Sequence, residues 1–180
     1  MPKDNRRNTV GLGPRGRTSA GGSGEFKQAH MIVAGHFSGR QPEGSVLLWD
    51  DRDPEYAGKK GVIFAYIFRK VGRCAVDLGE TKVERDGDAF HLLHGGVKVC
   101  VALVSYFHER HADVYVETFE PYRRKGYATI LLGWVSDWLT DNGYIHEGGC
   151  AIDNAASVRL HRRLGFVVDG HVRWSRAPGT

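Results

Sequence analysis

The chain of 180 residues is 41% hydrophobic and 26% charged, which is typical of a folded domain with its own core and disfavours wholesale disorder or a fibrous repeat. Its longest nearly apolar run, Val99–Phe107, is far shorter than the roughly 20 residues of a membrane-spanning helix. Three cysteines without a Cys-x-x-Cys pair and a charged N-terminus favour a cytoplasmic protein. The net charge of +4 raises the question of a polyanionic partner.

Residues 1–29 are predicted to form a flexible, basic, glycine-rich tail, and residues 30–180 a single domain. Six of the 25 basic residues but only two of the 21 acidic residues lie within residues 1–30, so this segment alone carries the net charge. It contains almost nothing large and apolar with which to offset its ordering entropy. Two interpretations stay open: a solvated tail without a role, or an arm over residues 1–27 that makes weak contacts with a nucleic acid or another polyanion.

Between residues 31 and 88 the pattern predicts strands but contains no motif. The apolar runs Met31–Ala34, Val46–Trp49 and Val62–Phe68 are separated by joints rich in Gly, Pro and Asp. The run from Val62 to Val71 also fits a short buried helix, because periodicity does not separate the two structures over so few residues. We find no clear pair of amphipathic helices in this segment.

From Ala89 the sequence predicts a meander of three antiparallel strands. Ala89–Leu93 and Val97–Phe107 flank a glycine turn at residues 94–96, and a polar turn over residues 109–112 leads to Asp113–Thr118. His-x-x-His occurs at residues 91–94 and 108–111, a spacing that suits a metal on a helix. Both pairs lie on predicted strands and turns, where the side chains diverge, so we predict no metal site.

The remainder alternates between helix and strand. A stripe of apolar residues from Ala128 to Leu139 predicts a helix packed on the sheet, ended by Asn142-Gly143. A strand follows over residues 144–152, and then a helix with its N-cap at Asp153-Asn154 and its end before Gly165. The last segment is predicted to be a hairpin, with strands at residues 166–168 and 171–174 and a two-residue turn at Asp169-Gly170.

The junction before the first of these helices carries the most informative motif. Residues 123–128 read Arg-Arg-Lys-Gly-Tyr-Ala, which has the form Arg-x-x-Gly-x-Ala. The glycine permits a close backbone turn, and the free N–H groups at a helix N-terminus suit a phosphate anion. Three adjacent cations add positive charge there. By itself the hexapeptide fits either a pyrophosphate site or an ordinary basic surface turn.

The segment from Ala89 to Trp174 resembles the GCN5-related N-acetyltransferase (GNAT) family in three ordered features. The Arg-x-x-Gly-x-Ala loop is similar to that family's acyl-coenzyme A pyrophosphate loop. Residues 154–161 (Asn-Ala-Ala-Ser-Val-Arg-Leu-His) resemble its Asn-x-x-Ser-x-x-Leu-Tyr helix, and residues 163–166 (Arg-Leu-Gly-Phe) match the motif that follows. The resemblance implies an α+β fold, with a mixed, mostly antiparallel central sheet flanked by helices and an atypical N-terminal third.

The resemblance implies that acetyl-CoA binds in a V-shaped gap beside the strand that ends at Thr118. Backbone groups of residues 116–118 would pair with the pantetheine amides, and N–H groups of residues 124–129 would hold the pyrophosphate. The implied cofactor-binding residues are Val116, Thr118, Arg123, Arg124, Lys125, Gly126, Tyr127, Ala128, Thr129, Asn154 and Ser157.

The resemblance implies acetyl transfer to a primary amine, which attacks the thioester directly in a ternary complex. This reaction requires a general base and a general acid. Glu117 is our first candidate for the base, with Asp153 and Glu147 as lesser candidates. His161 replaces the family's usual tyrosine acid, and an ordinary imidazole pKa near 6.5 makes it a usable donor. A helix-surface role for His161 stays the alternative. Cys150 and Tyr127 also lie near the expected gap, and neither is assigned a part in the chemistry of transfer.

One departure concerns the acceptor side. The family usually carries two helices between its first and second strands, and none is evident here, so we expect strands and loops instead. Two other functions stay open beside N-acetyl transfer to an amine of unknown class. One is an acyl-CoA-binding module with weak catalysis, and the other is a nucleic-acid-binding protein that acts through its tail. No contact with a membrane is predicted.

Overall fold

A computed structural model describes residues 46–107 and 110–176, which form one eight-stranded mixed sheet flanked by two α-helices. The predicted tail, the strand at Met31–Ala34 and the domain start at residue 30 lie outside these residues. The elements in chain order are β1 (Val46–Asp50), β2 (Val62–Lys70), β3 (Thr81–Asp86), β4 (Ala89–His94), β5 (Val97–Phe107), β6 (His111–Thr118), α1 (Tyr127–Asp141), β7 (Ile145–Ala151), α2 (Ala155–Arg163) and β8 (Phe166–Arg176). Single 3₁₀ turns occupy Pro54–Tyr56 and Glu120–Tyr122.

The sheet has the strand order β1-β8-β2-β7-β6-β5-β4-β3 and divides into two arms. The first arm contains β3, β4, β5 and β6, and the second arm contains β7, β2, β8 and β1. Within each arm the neighbouring strands are antiparallel. The arms meet through β6 and β7, which are parallel and pair only at His111 with Ile145 and at Ala112 with His146. Beyond these pairs the two strands diverge, so the predicted V-shaped opening is present beside β6.

Most of the predicted elements are confirmed, and the ambiguous run from Val62 is a strand. The described residues between 46 and 88 contain strands and one 3₁₀ turn but no α-helix. The pattern missed β3, because its side chains are mostly exposed and show no apolar alternation. The predicted turn over residues 109–112 is partly wrong, because β6 already begins at His111, where it pairs with β7.

The predicted C-terminal hairpin is wrong, because residues 166–176 form one continuous strand. β2 pairs along its whole length, from Lys70 opposite Phe166 to Val62 opposite Trp174. Where Phe68 faces Val168 and Ile67 faces Gly170, Asp169 is an extra residue, which is the signature of a β-bulge. A Cβ on Gly170 would lie 2.6 Å from the Cγ atom of Arg52, so the glycine provides space for a neighbouring side chain rather than a turn.

The main core lies between α1 and the first arm. Phe90 and Leu92 from β4 are fully buried, as are Leu131, Leu132 and Leu139 from α1. A fully buried side chain of this size contributes about 1.5–3 kcal/mol through the hydrophobic effect. This packing fixes the N-terminus of α1 beside the end of β6, where the cleft opens. None of the helices among the described residues is long and apolar enough to cross a membrane.

Candidate active site

A cleft of about 470 Å³ lies between the diverging parts of β6 and β7. The N-terminus of α1 closes one end, and α2 forms a side wall. The lining residues from β6 and the loop are Asp113, Val114, Tyr115, Val116, Thr118 and Arg124, those from α1 and its N-cap are Gly126, Tyr127 and Ala128, and those from β7 and α2 are Gly149, Cys150, Ala151, Asn154, Ala156, Ser157, Leu160 and His161. The cleft therefore brings together two of the three motifs, the loop before α1 and the helix α2, whereas residues 163–166 do not line it.

The loop before α1 has the backbone that anion binding at a helix start requires. Arg124 has φ +64° and Gly126 has φ +86°, both in the left-handed region. Gly126 is the N-cap of α1 and offers no capping side chain. A Cβ at Gly126 would meet nothing within 4 Å, so the glycine is favoured by its φ angle and not by lack of space. The first N–H groups of the helix have no acceptor within it and are available to an anion.

The basic residues of this loop have different surroundings. Arg124 lines the cleft, whereas the Nε atom of Arg123 donates a hydrogen bond to the Thr118 carbonyl oxygen at 3.2 Å. The Nζ atom of Lys125 lies 5.9 Å from the ring centroid of Tyr122. The N–H group of Thr129 already donates to the Gly126 carbonyl oxygen at 2.9 Å. Of the residues that were predicted to hold the phosphate, four therefore reach the cleft: Arg124, Gly126, Tyr127 and Ala128.

The edge of β6 presents Val116 and Thr118 to the cleft but not Glu117. Val116 packs against the core, and because successive strand residues alternate between faces, Glu117 projects from the opposite face, which also carries Tyr115 and Asp113. Its side chain is exposed, and its Oε2 atom accepts a hydrogen bond from the Tyr115 hydroxyl at 3.2 Å. Tyr115 thus connects Glu117 to the cleft wall.

The first turn of α2 supplies Asn154 and Ser157, as predicted from the second motif. The Oδ1 atom of Asn154 caps the helix by accepting a hydrogen bond from the Ser157 N–H at 3.1 Å. This cap orients the turn so that both side chains border the cleft. The helix then runs on to His161, one turn further along the same face.

His161 is buried in an aromatic setting at the inner end of the cleft. Its ring stacks on Phe68, with centroids 4.7 Å apart and planes at 10°, and meets Phe166 edge-on at 5.0 Å. Its Nδ1 atom lies 2.8 Å from the Ser157 carbonyl oxygen. Burial lowers the pKa of His161, and this effect is offset only in part by the Ser157 carbonyl and the charge of Asp113. His161 is therefore a buried side chain and not one on the helix surface.

Sequence reasoning missed Asp113, which lines the cleft opposite His161. It is 5% exposed, and its Oδ1 atom accepts a hydrogen bond from the Val114 N–H at 2.8 Å. The only signal in the sequence was a carboxylate directly before the apolar run over residues 114–116. A residue of this type is rarely buried without a specific reason.

The lesser base candidates lie elsewhere. Glu147 is buried beside Arg52, whose Nη1 atom is 3.2 Å from its Oε1 atom, and beside His111 at 3.5 Å. Asp153 is exposed at the end of β7. Neither residue lines the cleft. Cys150 does line it, and burial raises the pKa of its thiol, which favours the neutral form.

No metal centre accompanies this cleft in the described part of the chain. Groups of three or more His, Cys, Asp or Glu side chains that could hold an ion do not occur there. His91 and His94 both lie on β4, and residue 108 of the second pair is outside the described residues.

The family comparison agrees with this geometry. A family model described as the acetyltransferase (GNAT) family matches residues 45–166. The chain belongs to the GNAT family. The matched range begins before β1 and ends at the first residue of β8, so it includes the loop, both helices and the diverging strands. Comparison with curated proteins finds no match.

Solved GNAT structures share the fold at low sequence identity. A GNAT-family acetyltransferase from Colwellia psychrerythraea has a TM-score of 0.61 at 9% identity, with 84% of this chain and 73% of that chain covered. A protein assigned to the same family from Novosphingobium aromaticivorans has a TM-score of 0.54 at 18% identity, with coverages of 78% and 77%. A GCN5-related N-acetyltransferase from Sphaerobacter thermophilus has a TM-score of 0.52 at 12% identity, with coverages of 74% and 60%.

Proposed function

We propose that this GNAT-family chain is an acetyl-CoA-dependent N-acetyltransferase that transfers the acetyl group to a primary amine by direct attack in a ternary complex. The observation that carries this proposal is the cleft between β6 and β7, which begins at the N-terminus of α1 and ends at His161. GNAT proteins generally use acetyl-CoA as the acetyl donor. The cleft offers features that suit both ends of that molecule.

The helix end of the cleft suits the pyrophosphate. Arg124 supplies a cation, and the N–H groups at Gly126, Tyr127 and Ala128 face the same end. Along β6, the edge that would carry a further strand is open beyond Ala112. An extended pantetheine arm could pair with the backbone of Val116 and Thr118 there, as an added strand does. Asn154 and Ser157 would flank this arm from α2.

Binding is tested by calorimetric titration with acetyl-CoA. The variant Arg124→Gln is expected to weaken affinity about tenfold, which corresponds to about 1.4 kcal/mol. Arg163→Gln is the matched control, because Arg163 is an exposed arginine in the last turn of α2 that does not line the cleft. Equal affinities for the two variants would contradict the proposed pyrophosphate site.

Turnover is tested by thiol release from acetyl-CoA in the presence of a panel of primary amines. Release that depends on the amine supports the transferase. Binding of acetyl-CoA without release for any amine would instead support the second candidate, an acyl-CoA-binding module with weak catalysis. That candidate is favoured by one observation, the histidine at the position where the family usually has a tyrosine. The nucleic-acid-binding alternative depends on residues outside the described part of the chain.

Glu117 is proposed to take the first proton, the one that a charged ammonium group must lose before it can attack. Its exposed carboxylate on the face away from α1 suits an acceptor that arrives from solvent, and Tyr115 connects it to the cleft. Glu117→Gln should lower turnover most at pH values where the amine is charged. The deficit should shrink as the pH rises and the amine loses its proton in solution. A rate equal to the wild type at every pH would contradict this role.

A further inference from the structure

The inner end of the cleft brings three residues together at the point where β6 and β7 part. A Cβ on Gly148 would lie 3.1 Å from the Nε2 atom of His161 and 3.6 Å from the Oδ1 atom of Asp113. Because Gly148 has no side chain, the imidazole of His161 and the carboxylate of Asp113 border the same space beside it. Both side chains are more than nine-tenths buried, and both line the cleft. Neither Glu117 nor Glu147 lines it.

The hydrogen bond at Nδ1 decides which nitrogen of His161 carries the proton. A carbonyl oxygen can only accept, so the 2.8 Å contact with the Ser157 carbonyl requires a proton on Nδ1. In the neutral ring the Nε2 atom then has a lone pair and no proton. At rest His161 is consequently a proton acceptor toward the cleft, and it can act as an acid only after it has taken a proton there.

Resting on the proposed function, we propose that His161 is a proton shuttle that serves first as base and then as acid in one transfer. The Nε2 atom takes a proton from the amine nitrogen once that nitrogen has attacked the thioester carbonyl. The same atom returns this proton to the departing sulfur. Asp113 is the positioning residue that stabilises the imidazolium between the two transfers. One histidine thereby replaces the separate acid that a tyrosine supplies.

The proton balance is complete without any further reactant. Glu117 passes the first ammonium proton to solvent. The N–C bond forms, the nitrogen becomes positive, and Nε2 removes its second proton. The C–S bond then breaks, and the proton on Nε2 goes to the sulfur. The products are the acetylated amine and the free thiol, and His161 returns to its neutral state with the Nδ1 proton in place.

The surroundings of His161 support a neutral resting ring with a single charged partner. Phe68 of β2 and Phe166 of β8 contribute apolar rings. His146 of β7 is the neighbouring titratable group, and burial lowers its pKa to about 3, so it adds no charge near neutral pH. The Nζ atom of Lys70 lies 5.8 Å from the ring centroid of Phe166, and its charge also acts to lower the pKa of His146. Asp113 favours the protonated ring of His161, and Cys150 remains a neutral thiol.

The first test reads the protonation of His161 directly by ¹⁵N NMR of the full chain with acetyl-CoA bound, with the signal assigned by its loss in His161→Gln. We expect the neutral tautomer with its proton on Nδ1 at pH 7, and a pKa below the ordinary value of about 6.5. Asp113→Asn should lower that pKa further, by about 1, because it removes the charge that favours imidazolium. An Nε2–H tautomer or an imidazolium at pH 7 would overturn the proposal, as would an unchanged pKa in Asp113→Asn.

The second test measures single-turnover acetyl transfer to hydroxylamine, with rates expressed per uncharged hydroxylamine. His161→Gln should lose about 100-fold in rate with an acetyl-CoA affinity within about twofold of the wild type. The matched control His171→Gln should retain its rate, because His171 also neighbours a carboxylate, with its Nδ1 atom 3.0 Å from Asp51, but is only partly buried and lies outside the cleft. The wild-type rate should fall as the pH falls through the pKa of His161.

The outcomes separate this proposal from the proposed function. A rate that falls as the pH rises would identify His161 as a resting acid and overturn the shuttle. A fully active His161→Gln would also overturn it while leaving the transferase intact. If the wild type binds acetyl-CoA but transfers to no amine, the transferase fails and the shuttle falls with it. Unfolding of His161→Gln would also remove the assignment of the NMR signal, and the wild-type pH profile would then decide the matter.

Discussion

The two arms of the sheet are assembled in opposite ways. In the first arm β3, β4, β5 and β6 follow one another along the chain, and each pairs with the next through a short connection. In the second arm β2 lies between β7 and β8, although the 74 residues from 71 to 144 separate it from β7 in the sequence. The first arm therefore depends on local turns and apolar alternation, and the second depends on contacts that only the folded chain brings together.

The interactions that stabilise the two arms differ as well. The first arm shares its apolar core with α1. The second arm carries a charged network centred on Arg52, which lies 2.8 Å from Asp50, 3.2 Å from Glu147 and 2.9 Å from Asp169. Burial alone would lower the pKa of Arg52, but hydrogen bonding to Asp50 and the nearby carboxylate charges outweigh it and raise the pKa. This network links β1, β7 and β8 across the arm.

The largest expected effect comes from removing the centre of that network. Arg52→Met leaves the buried carboxylates of Asp50 and Glu147 without their shared cation, whereas the partly exposed Asp169 keeps its pairing with Arg69. Breaking a buried ionic group in this way costs about 3 kcal/mol of unfolding free energy. Urea unfolding at pH 7 measures this loss. Arg73→Met is the control, because the Arg73–Asp141 pair is more than half exposed, so solvent screens it and its loss should change stability far less.

The pH dependence of stability gives the next largest effect. His146 is fully buried against Ser136, and burial lowers its pKa to about 3. As the pH falls below about 6.5, the unfolded chain takes up a proton that the folded chain resists, so stability decreases toward pH 3. Between pH 6.5 and pH 5 the loss from this histidine is about 2 kcal/mol.

Urea unfolding at pH 7, 6 and 5 checks this slope. His146→Phe should flatten it, since phenylalanine keeps a ring against Phe166 without a titrating group. His94→Gln replaces an exposed histidine at the end of β4 and should leave the slope as it is. Equal slopes in the wild type and His146→Phe would show that burial of this ring does not determine the acid sensitivity.

A smaller effect is expected where the two arms meet at the cleft. The Cβ added by Gly148→Ala would stand 3.1 Å from the Nε2 atom of His161, which is closer than ordinary packing allows. The imidazole must shift, and we expect kcat to fall about tenfold, or about 1.4 kcal/mol, with little change in acetyl-CoA affinity. In a His161→Gln background the same substitution should cost much less, which a double-mutant cycle would measure.

The smallest expected effect concerns the cap of α2. Asn154→Ala removes the side chain that accepts from the Ser157 N–H and should cost about 1 kcal/mol of unfolding free energy. Asn154→Ser keeps a capping oxygen and should restore most of this loss. A full loss in both variants would indicate that Asn154 stabilises the chain through something other than its cap.

The two arms also differ in how well their strands could be predicted from the sequence. The hairpin of β4 and β5 was predictable because Gly95 and Gly96 lie between two apolar runs, and both have positive φ angles in the structure. The continuity of β8 through Asp169-Gly170 was not predictable, because this dipeptide has the composition of a hairpin turn. Its glycine is used instead to accommodate Arg52, a residue more than 100 positions away.

The candidate site divides in a similar manner. Arg124, Gly126, Asn154 and His161 belong to continuous motifs whose spacing is set by one loop or one helix, so they could be found from the sequence. Asp113 could not be, because its importance depends on the neighbouring strand lacking a side chain at Gly148. Glu117 was chosen for its position along β6, and the structure places it outside the cleft lining.

The sequence by itself determined the family, the helix start that suits a phosphate and the histidine in place of the usual tyrosine. These features are short-range, because loop conformation and helix spacing depend on neighbours in the chain. Only the tertiary structure decided the partner strand of β7, the burial of His161 and its approach to Asp113. Those features depend on residues distant in sequence, and the proposed role of His161 as a proton acceptor rests on its contacts with Phe68, Phe166 and Ser157.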